Sequence, residues 1–457
     1  MKRNLLVTAA VWCASLGAHA ASYIVWPGQS LQTAINNAMA GDNITVMAGS
    51  YNQNITISKG IDIRGEAGKT IQVTGTLTIS NAPAAVYIKG IDWGQNVANG
   101  SGITVTSSSD VRIDDCRVLY NTLAGANLSV TGSKFYLFKT SITGSATFTN
   151  SDWTLQGSAV GSGLTSNTSN TKIIKSTITG ACVHNDATKE LTVFQSTLTE
   201  NLNINALKYW VCYNTIRYMA ITGGTGEVTG NSILGRGGRL NGVTLTNSNV
   251  VIRNNYIADF REDAGGSVLE SDNGIVVVSG TAKVTNNLIR NLGNASVYSG
   301  KTAVGIGIYV KGTVSTEITG NIIQECVNGF PTGVGGPCSI LAPQAGVIAT
   351  YNNLRNGYAG GVVPANCINT DPLFVNPAIG DYTLRADSPC KDTGPADPQY
   401  NDLDGSRNDM GTYGGHSYDP NGKTTTAPVV LSSEVSPLFI KRGGTVTIKA
   451  RAGVAAE

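Results

Sequence analysis

The sequence predicts an all-β fold, a solenoid in which short strands wind into stacked coils, and three observations predict it. Gly supplies 55 of 457 residues while only 14% are charged and 7% aromatic, a composition suited to short strands joined by tight turns. The pattern apolar-x-x-small polar-x-apolar recurs along most of the chain, as from Val284 to Ile289 around Asn287. The recurrences fall 17 to 34 residues apart and are carried by β-formers with no helical periodicity, the mark of a solenoid of strands.

The first element is a leader. Lys2 and Arg3, an apolar run and Ala18-His19-Ala20 make residues 1–20 a signal peptide, which predicts a protein secreted or held at the cell surface or in the periplasm. Cys13 follows the bulky Trp12, which argues against lipidation. Beyond residue 20 no apolar run approaches the roughly 20 residues of a membrane helix, so no transmembrane segment is expected in the mature chain. Loss of Lys2 and Arg3 leaves 30 basic and 30 acidic residues. That balance supplies no general field for nucleic acid or anionic lipid, so a polyanion has to meet a local cluster.

The solenoid comes next. Aligned on the small polar residue, the repeat reads Cys116, Ser133, Ser151, Ser176, Ser196, Asn214, Asn231, Asn255, Asn287, Asn321 and Asn352, with wholly apolar columns three residues before and two after. One coil cannot bury its own apolar edge, so coils stack and share a core. At about 4.8 Å per coil, roughly 14 coils make a rod on the order of 65 Å long. The six consecutive asparagines are expected to form a structural ladder, amide to amide, at an inward bend. Cys116 falls in the same column and is expected to be a buried thiol. Cys326, Cys338, Cys367 and Cys390 lie late in the chain, where an exported protein has room for two disulfides, with all three pairings open.

The segment "YIVWPGQSLQTAINNAMAGDNITVMAGSYNQNITISKGIDIRG" resembles the opening cap of the pectate-lyase-like right-handed parallel β-helix proteins, with a short helix around Leu31 to Met39. "DPLFVNPAIGDYTLRADSPCKDTG" and "DLDGSRNDMGTYGG" resemble the closing region of many secreted bacterial β-helix proteins. The resemblance covers roughly residues 22–417 and implies the fold. It selects no chemistry, because the fold carries lyases, hydrolases, esterases, epimerases and adhesins. Residues 21–419 are thus expected to form the β-helix with its caps, and 420–428, "PNGKTTTAP", a linker. Residues 429–457 resemble the first strands of an immunoglobulin-like module, which needs about 100 residues; they either begin such a sandwich or pack on the rod. The fold also leaves trimerisation along the rod open.

Three insertions, at 258–273, 290–303 and 324–345, occupy the same place in successive late coils and are expected to stack into a wall beside a sheet, where binding tends to reside. The first concentrates Asp259, Glu262, Asp263 and Glu270, a candidate Ca²⁺ site, with Arg261 among them and Asp272 its least secure neighbour. Resemblance to uronate lyases of this fold implies that such an ion neutralises a substrate carboxylate while a base takes the C5 proton; Arg290, Lys301 and Arg217 are the candidates. Arg261, Arg355 and Tyr298 are candidate substrate contacts. The competing readings are a solvated acidic loop and exposed solubilising charges.

Several chemistries lose support at once. Asp114-Asp115 has an acid pair but no Gly-His-Gly or Arg-Ile-Lys partner follows, and Trp-Ile-Asp-His and Arg-x-Pro-x-x-Arg are absent. His184 and His416 lie far apart, against a Ser-His-Asp triad or zinc site. Asp402, Asp404 and Asp409 have a spacing somewhat like a calcium loop but lack its final Glu, so an Asp-rich turn is the default. The expected function is binding of polysaccharide or cell-surface glycan, or an adhesive or structural role at the cell envelope; the alternative is a calcium-dependent uronate lyase acting by β-elimination.

Overall fold

A computed structural model describes residues 20–94, 102–119, 126–235, 241–261, 271–293, 304–312, 315–327, 338–436 and 447–453. Each coil gives one strand to each of three parallel sheets. Successive strands of the first sheet include Ile61–Gly65, Val86–Lys89 and Val111–Asp114; of the second, Ile71–Val73, Asp92–Trp93 and Arg117–Val118; of the third, Leu77–Ser80, Ile103–Thr106 and Ala126–Thr131. Within a strand buried and outward residues alternate, as in Val86–Lys89, because successive side chains leave opposite faces. Coil-to-coil register then stacks like on like. One aliphatic file runs unbroken from Ile44 through Ile63, Ile113 and Val211 to Ala349.

The first coil is closed by a helix, Leu31–Asn37, whose N-cap Ser30 accepts from the Thr33 amide and whose Leu31 and Ile35 are buried. It stops two residues short of the expected end at Met39. There Asp42 accepts from the amides of Met39 and Ala21, both at 2.7 Å.

The paired asparagines divide two tasks at a bend. Asn286 sits in the left-handed region, φ 51°, and Asn287 turns inward. The same left-handed position recurs coil after coil at Asp115, Lys139, Gly157, Lys175, Gln195, Tyr213, Gly230, Asn254, Gly320 and Tyr351. Within the ladder Asn287 Nδ2 donates to Asn321 Oδ1 at 2.9 Å and to the Ile252 and Thr285 carbonyls at 3.0 Å. Its Oδ1 accepts from the Asn255 amide and Nδ2 at 3.0 and 2.9 Å.

The single polar column read from the sequence is in fact two. One ladder runs from the Ile91 amide through Cys116, Thr140, Ser158, Ser176 and Ser196 into Asn214, Asn231, Asn255, Asn287, Asn321 and Asn352. A second, at another corner, runs from the Ala82 amide through Ser108, Ser133 and Ser151 to Ser169. Ser133 and Ser151 therefore leave the first column and Thr140 and Ser158 take their places. Both corners need a left-handed residue followed by a small inward acceptor, so Gly132-Ser133 and Gly157-Ser158 share one local signature.

The late cysteines correct a second expectation. Cys326, Cys338, Cys367 and Cys390 carry no disulfide, nor do Cys116, Cys182 and Cys212. Most occupy core files: Cys326 stacks on Leu292, Cys338 on Ile306, and Cys182 between Leu164 and Leu202. A thiol there replaces an aliphatic side chain.

One polar chain crosses the core. Trp153 Nε1 donates to Ser166 Oγ at 3.1 Å, Ser166 meets Thr171 Oγ1 at 2.7 Å, and Thr171 meets His184 Nδ1 at 3.1 Å. His184 is 2% exposed and its Nε2 has no hydrogen-bond partner. Burial pushes its pKa down from 6.5 to about 4, slightly opposed by Asp186. Unfolding lets the ring take a proton throughout that window, so stability is full above pH 6.5 and is lost as pH falls toward 4, on the order of 3 kcal/mol in all. Denaturant melts at pH 7 and 4.5 should show this loss, and His184→Gln should reduce it; an unchanged pH slope in the variant would assign the effect elsewhere.

After Ile368, which still bridges in parallel to Asn353, the chain leaves the coils and runs back along the left-handed corner. Asn286 Nδ2 donates to the Asp409 carbonyl at 2.7 Å, Asn254 Nδ2 to the Gly414 carbonyl at 2.7 Å, and Gln195 Nε2 to the Gly422 carbonyl at 2.7 Å. Cys390 and Met410 pack on Leu288 and Ile322, and Val429 packs on Phe194, Cys212 and Tyr213. The segment expected to be a linker is thus docked on the coils as far as Val429. From there Val429–Ser436 pairs antiparallel with Thr447–Gly453, apart from the wound sheet.

Candidate functional site

The late strands of the second sheet are Tyr256–Phe260, Leu288–Leu292, Ile322–Cys326 and Asn353–Leu354, and the first three share an irregularity. Asp259, Asn291 and Glu325 each have positive φ, so the chain kinks after an outward residue and the next side chain, Phe260, Leu292 or Cys326, returns to the core. Arg290 pairs in register with Gln324, and Arg355 follows the buried Leu354 that pairs with Ile323. These residues succeed one another up the outside of the rod.

The returning tail faces them and encloses an open cleft of about 690 Å³, lined by Arg290, Gln324, Glu325, Arg355 and Asn356 from the coils and by Asp371, Phe374, Pro377 and Arg385 among others from the tail. Arg290 is held hard. It pairs with Glu325 at 2.5 Å, donates to the Tyr382 hydroxyl, and lies 4.9 Å from that ring's centroid. Burial alone would lower its pKa, but the hydrogen bond and charge of Glu325, helped by Tyr382, outweigh burial and raise it. A guanidinium so placed stays protonated, which suits it to hold an anion rather than to accept a proton. Arg355 is exposed with one contact to Asn369 at 3.4 Å, and Arg385 meets Asp387 at 3.1 Å at an exposed pair. Such contacts are worth little in water, about 0–1 kcal/mol, so both can exchange them for a ligand.

The structure thus brings Arg290 and Arg355 together and separates the others. Arg217 lies several coils away and pairs with Glu200 at 2.6 Å. Asp259 accepts from Asn291 Nδ2 and Arg261 is exposed just beyond the end of the strand Tyr256–Phe260. Glu262, Asp263, Glu270, Tyr298 and Lys301 lie outside the described residues. Among the described residues no group of three or more His, Cys, Asp or Glu side chains is placed to hold a metal ion. In the Asp-rich segment Asp402 spends its oxygens on the amides of Asp409 and Gly415, and Asp404 caps Ser406, the arrangement of turns. Sequence reasoning missed Gln324, Tyr382 and Arg385 as site residues. "GDYTLRAD" displays the last two, but nothing local says which coil they face.

The parallel coil-to-coil register, the two polar ladders and the capping helix define a right-handed parallel β-helix. No family model and no curated protein matches the chain. Among solved structures it is similar to the pectate lyase Pel9A, at 14% identity and a TM-score of 0.28 over 87% of this chain and 97% of that one. It is also similar to a mannuronic-acid-specific polysaccharide family 6 lyase from human gut microbiota, at 13% identity and 0.28 over 75% and 83%. A third, the family 6 alginate lyase AlyGC, matches at 13% and 0.25 over 76% of this chain and 53% of that one. No helix among the described residues is long and apolar enough to cross a membrane.

Proposed function

We propose that the protein is an exported glycan-binding β-helix whose arginine cleft holds the carboxylates of an acidic polysaccharide at the cell envelope. The observation that carries this reading is the convergence of Arg290, Arg355 and Arg385 on one open cleft, three guanidinium groups against the two carboxylates of Glu325 and Asp371. Guanidinium matches carboxylate in a two-pronged hydrogen bond, and planar, geometrically fixed recognition is what distinguishes it from a lysine. Gln324 and Asn356 add amides for sugar hydroxyls, while Phe374 and Pro377 supply an apolar edge. Export rests on the leader pattern of residues 1–20. The protonated state of Arg290 favours holding the anion over removing a proton from it.

The test uses protein lacking residues 1–20 against pectate, alginate and glycosaminoglycans, with calcium and with chelator, read both by retention on the immobilised glycan and by ultraviolet absorbance of unsaturated uronate. Retention of acidic but not neutral glycans, without absorbance, is the expected result. Absorbance that rises with time would replace the binding reading by a lyase, and no retention of any acidic glycan would remove the cleft's assignment.

A further inference from the structure

Between Tyr213 and Leu288 the tail encloses a second cavity of about 350 Å³, lined in part by Tyr382, the partner of Arg290 in the arginine cleft. Tyr213, Leu234 and Tyr256 line it from the coils; Tyr382, Tyr413 and Tyr418 line it from the tail. We propose that this cavity binds an uncharged pyranose ring. Its volume falls in the range of small-ligand sites. A tyrosine presents an apolar face and a hydroxyl at its rim, the pairing that the C–H face and edge hydroxyls of a pyranose require.

The rings are held at set angles. Tyr413 and Tyr418 meet edge to face with centroids 5.2 Å apart, and Tyr256 and Tyr382 lie tilted at 5.0 Å with their hydroxyls 3.1 Å apart. Burial raises the pKa of Tyr213 to about 12 and also raises those of Tyr256, Tyr413 and Tyr418. Their hydroxyls therefore stay uncharged; Tyr213 uses its own on the Ser417 carbonyl and the Asp419 amide and Tyr256 donates to Tyr382, so Tyr413 and Tyr418 present the rims that meet a ligand. The charged lining is one carboxylate, Asp419, and one ammonium, Lys423, which reaches in from an otherwise exposed residue to donate to Ser232 Oγ. With these two in balance the cavity lacks the cationic excess of the neighbouring cleft. Because Tyr382 lines this cavity and also accepts from Arg290 of the cleft, it links the two sites. One glycan crossing it would show an uncharged ring to the tyrosines and a carboxylate to the arginines, a consequence that rests on the function proposed above.

The experiment is saturation-transfer NMR of the full chain with D-glucose, D-galactose, D-mannose, L-rhamnose and N-acetyl-D-glucosamine. At least one should receive saturation, with affinity falling tenfold or more in Tyr413→Ala/Tyr418→Ala and by less in Tyr413→Phe/Tyr418→Phe, which keeps both rings and removes only their hydroxyls. Leu234→Trp, which fills the cavity from the coil side and leaves every tail residue in place, should abolish transfer in a protein whose melting temperature is unchanged. Transfer to none of the five sugars, or transfer that survives Leu234→Trp, overturns the proposal. Arg355→Ala/Arg385→Ala should leave neutral-sugar binding intact, so failure of the arginine cleft and failure of this cavity read out separately.

Discussion

Asn287→Ala should lower the unfolding free energy by about 3–5 kcal/mol, since each buried partner left unsatisfied costs about 1–3 kcal/mol. The substitution takes the acceptor from the Asn255 amide and side chain and the donor from Asn321 Oδ1 and the Ile252 carbonyl, all at a position with no exposure. Ser176→Ala, in the same ladder, removes the acceptor for the Ser158 amide and a bond to the Ile174 carbonyl, and should cost less, about 1–2 kcal/mol. In a solenoid each coil is held by its neighbours, so amide hydrogen exchange should quicken first in the coils around residues 252–289 and 315–323. Equal losses for the two variants, or a loss for Asn287→Ala below about 1 kcal/mol, would mean the ladder is not what holds the corner.

The second large effect concerns the cleft. Arg355→Ala and Arg385→Ala should each weaken binding of an acidic oligosaccharide about tenfold, or about 1.4 kcal/mol, and the pair about a hundredfold if the two act independently. Both residues are exposed, so stability should stay within about 0.5 kcal/mol of wild type. Arg290 behaves differently because it is fastened to Glu325 and Tyr382. Arg290→Lys keeps the charge but loses the forked contact, so binding should drop and the docking of the tail around Tyr382 should loosen together. Proteolysis of the tail with and without oligosaccharide would show whether the two losses are coupled.

The architecture was legible because stacking forces the sequence to repeat itself. Val284, Asn287 and Ile289 each had counterparts in every late coil, and the register confirms that they stack. The local signature failed where geometry is degenerate: Ser133 and Ser151 satisfy the same rule as Ser158 and Ser176 at a different corner, and only coil-to-coil hydrogen bonding tells the corners apart. The cysteines misled because an expected export makes disulfides permissible without making them necessary; Cys326 and Cys338 hold aliphatic places in the core. Of the candidate site, Arg290 and Arg355 could be found because they share one offset from the ladder. Arg385 and Tyr382 could not, since their position depends on the tail folding back along the rod, a contact between residues 92 positions apart in the case of Arg290 and Tyr382 that leaves no periodic trace. What points the tail there is the left-handed corner itself, whose Asn254 and Asn286 side chains are free of the core and reach out to carbonyls at Gly414 and Asp409.

The most direct measurement is a calorimetric titration of a saturated acidic oligosaccharide, oligogalacturonate or oligomannuronate, into wild type and Arg355→Ala/Arg385→Ala at two salt concentrations. Wild type should bind with an affinity that weakens as salt rises, and the variant should lose most of both the affinity and the salt dependence. Equal binding by the two proteins, or wild-type affinity indifferent to salt, would contradict an arginine cleft that holds carboxylates.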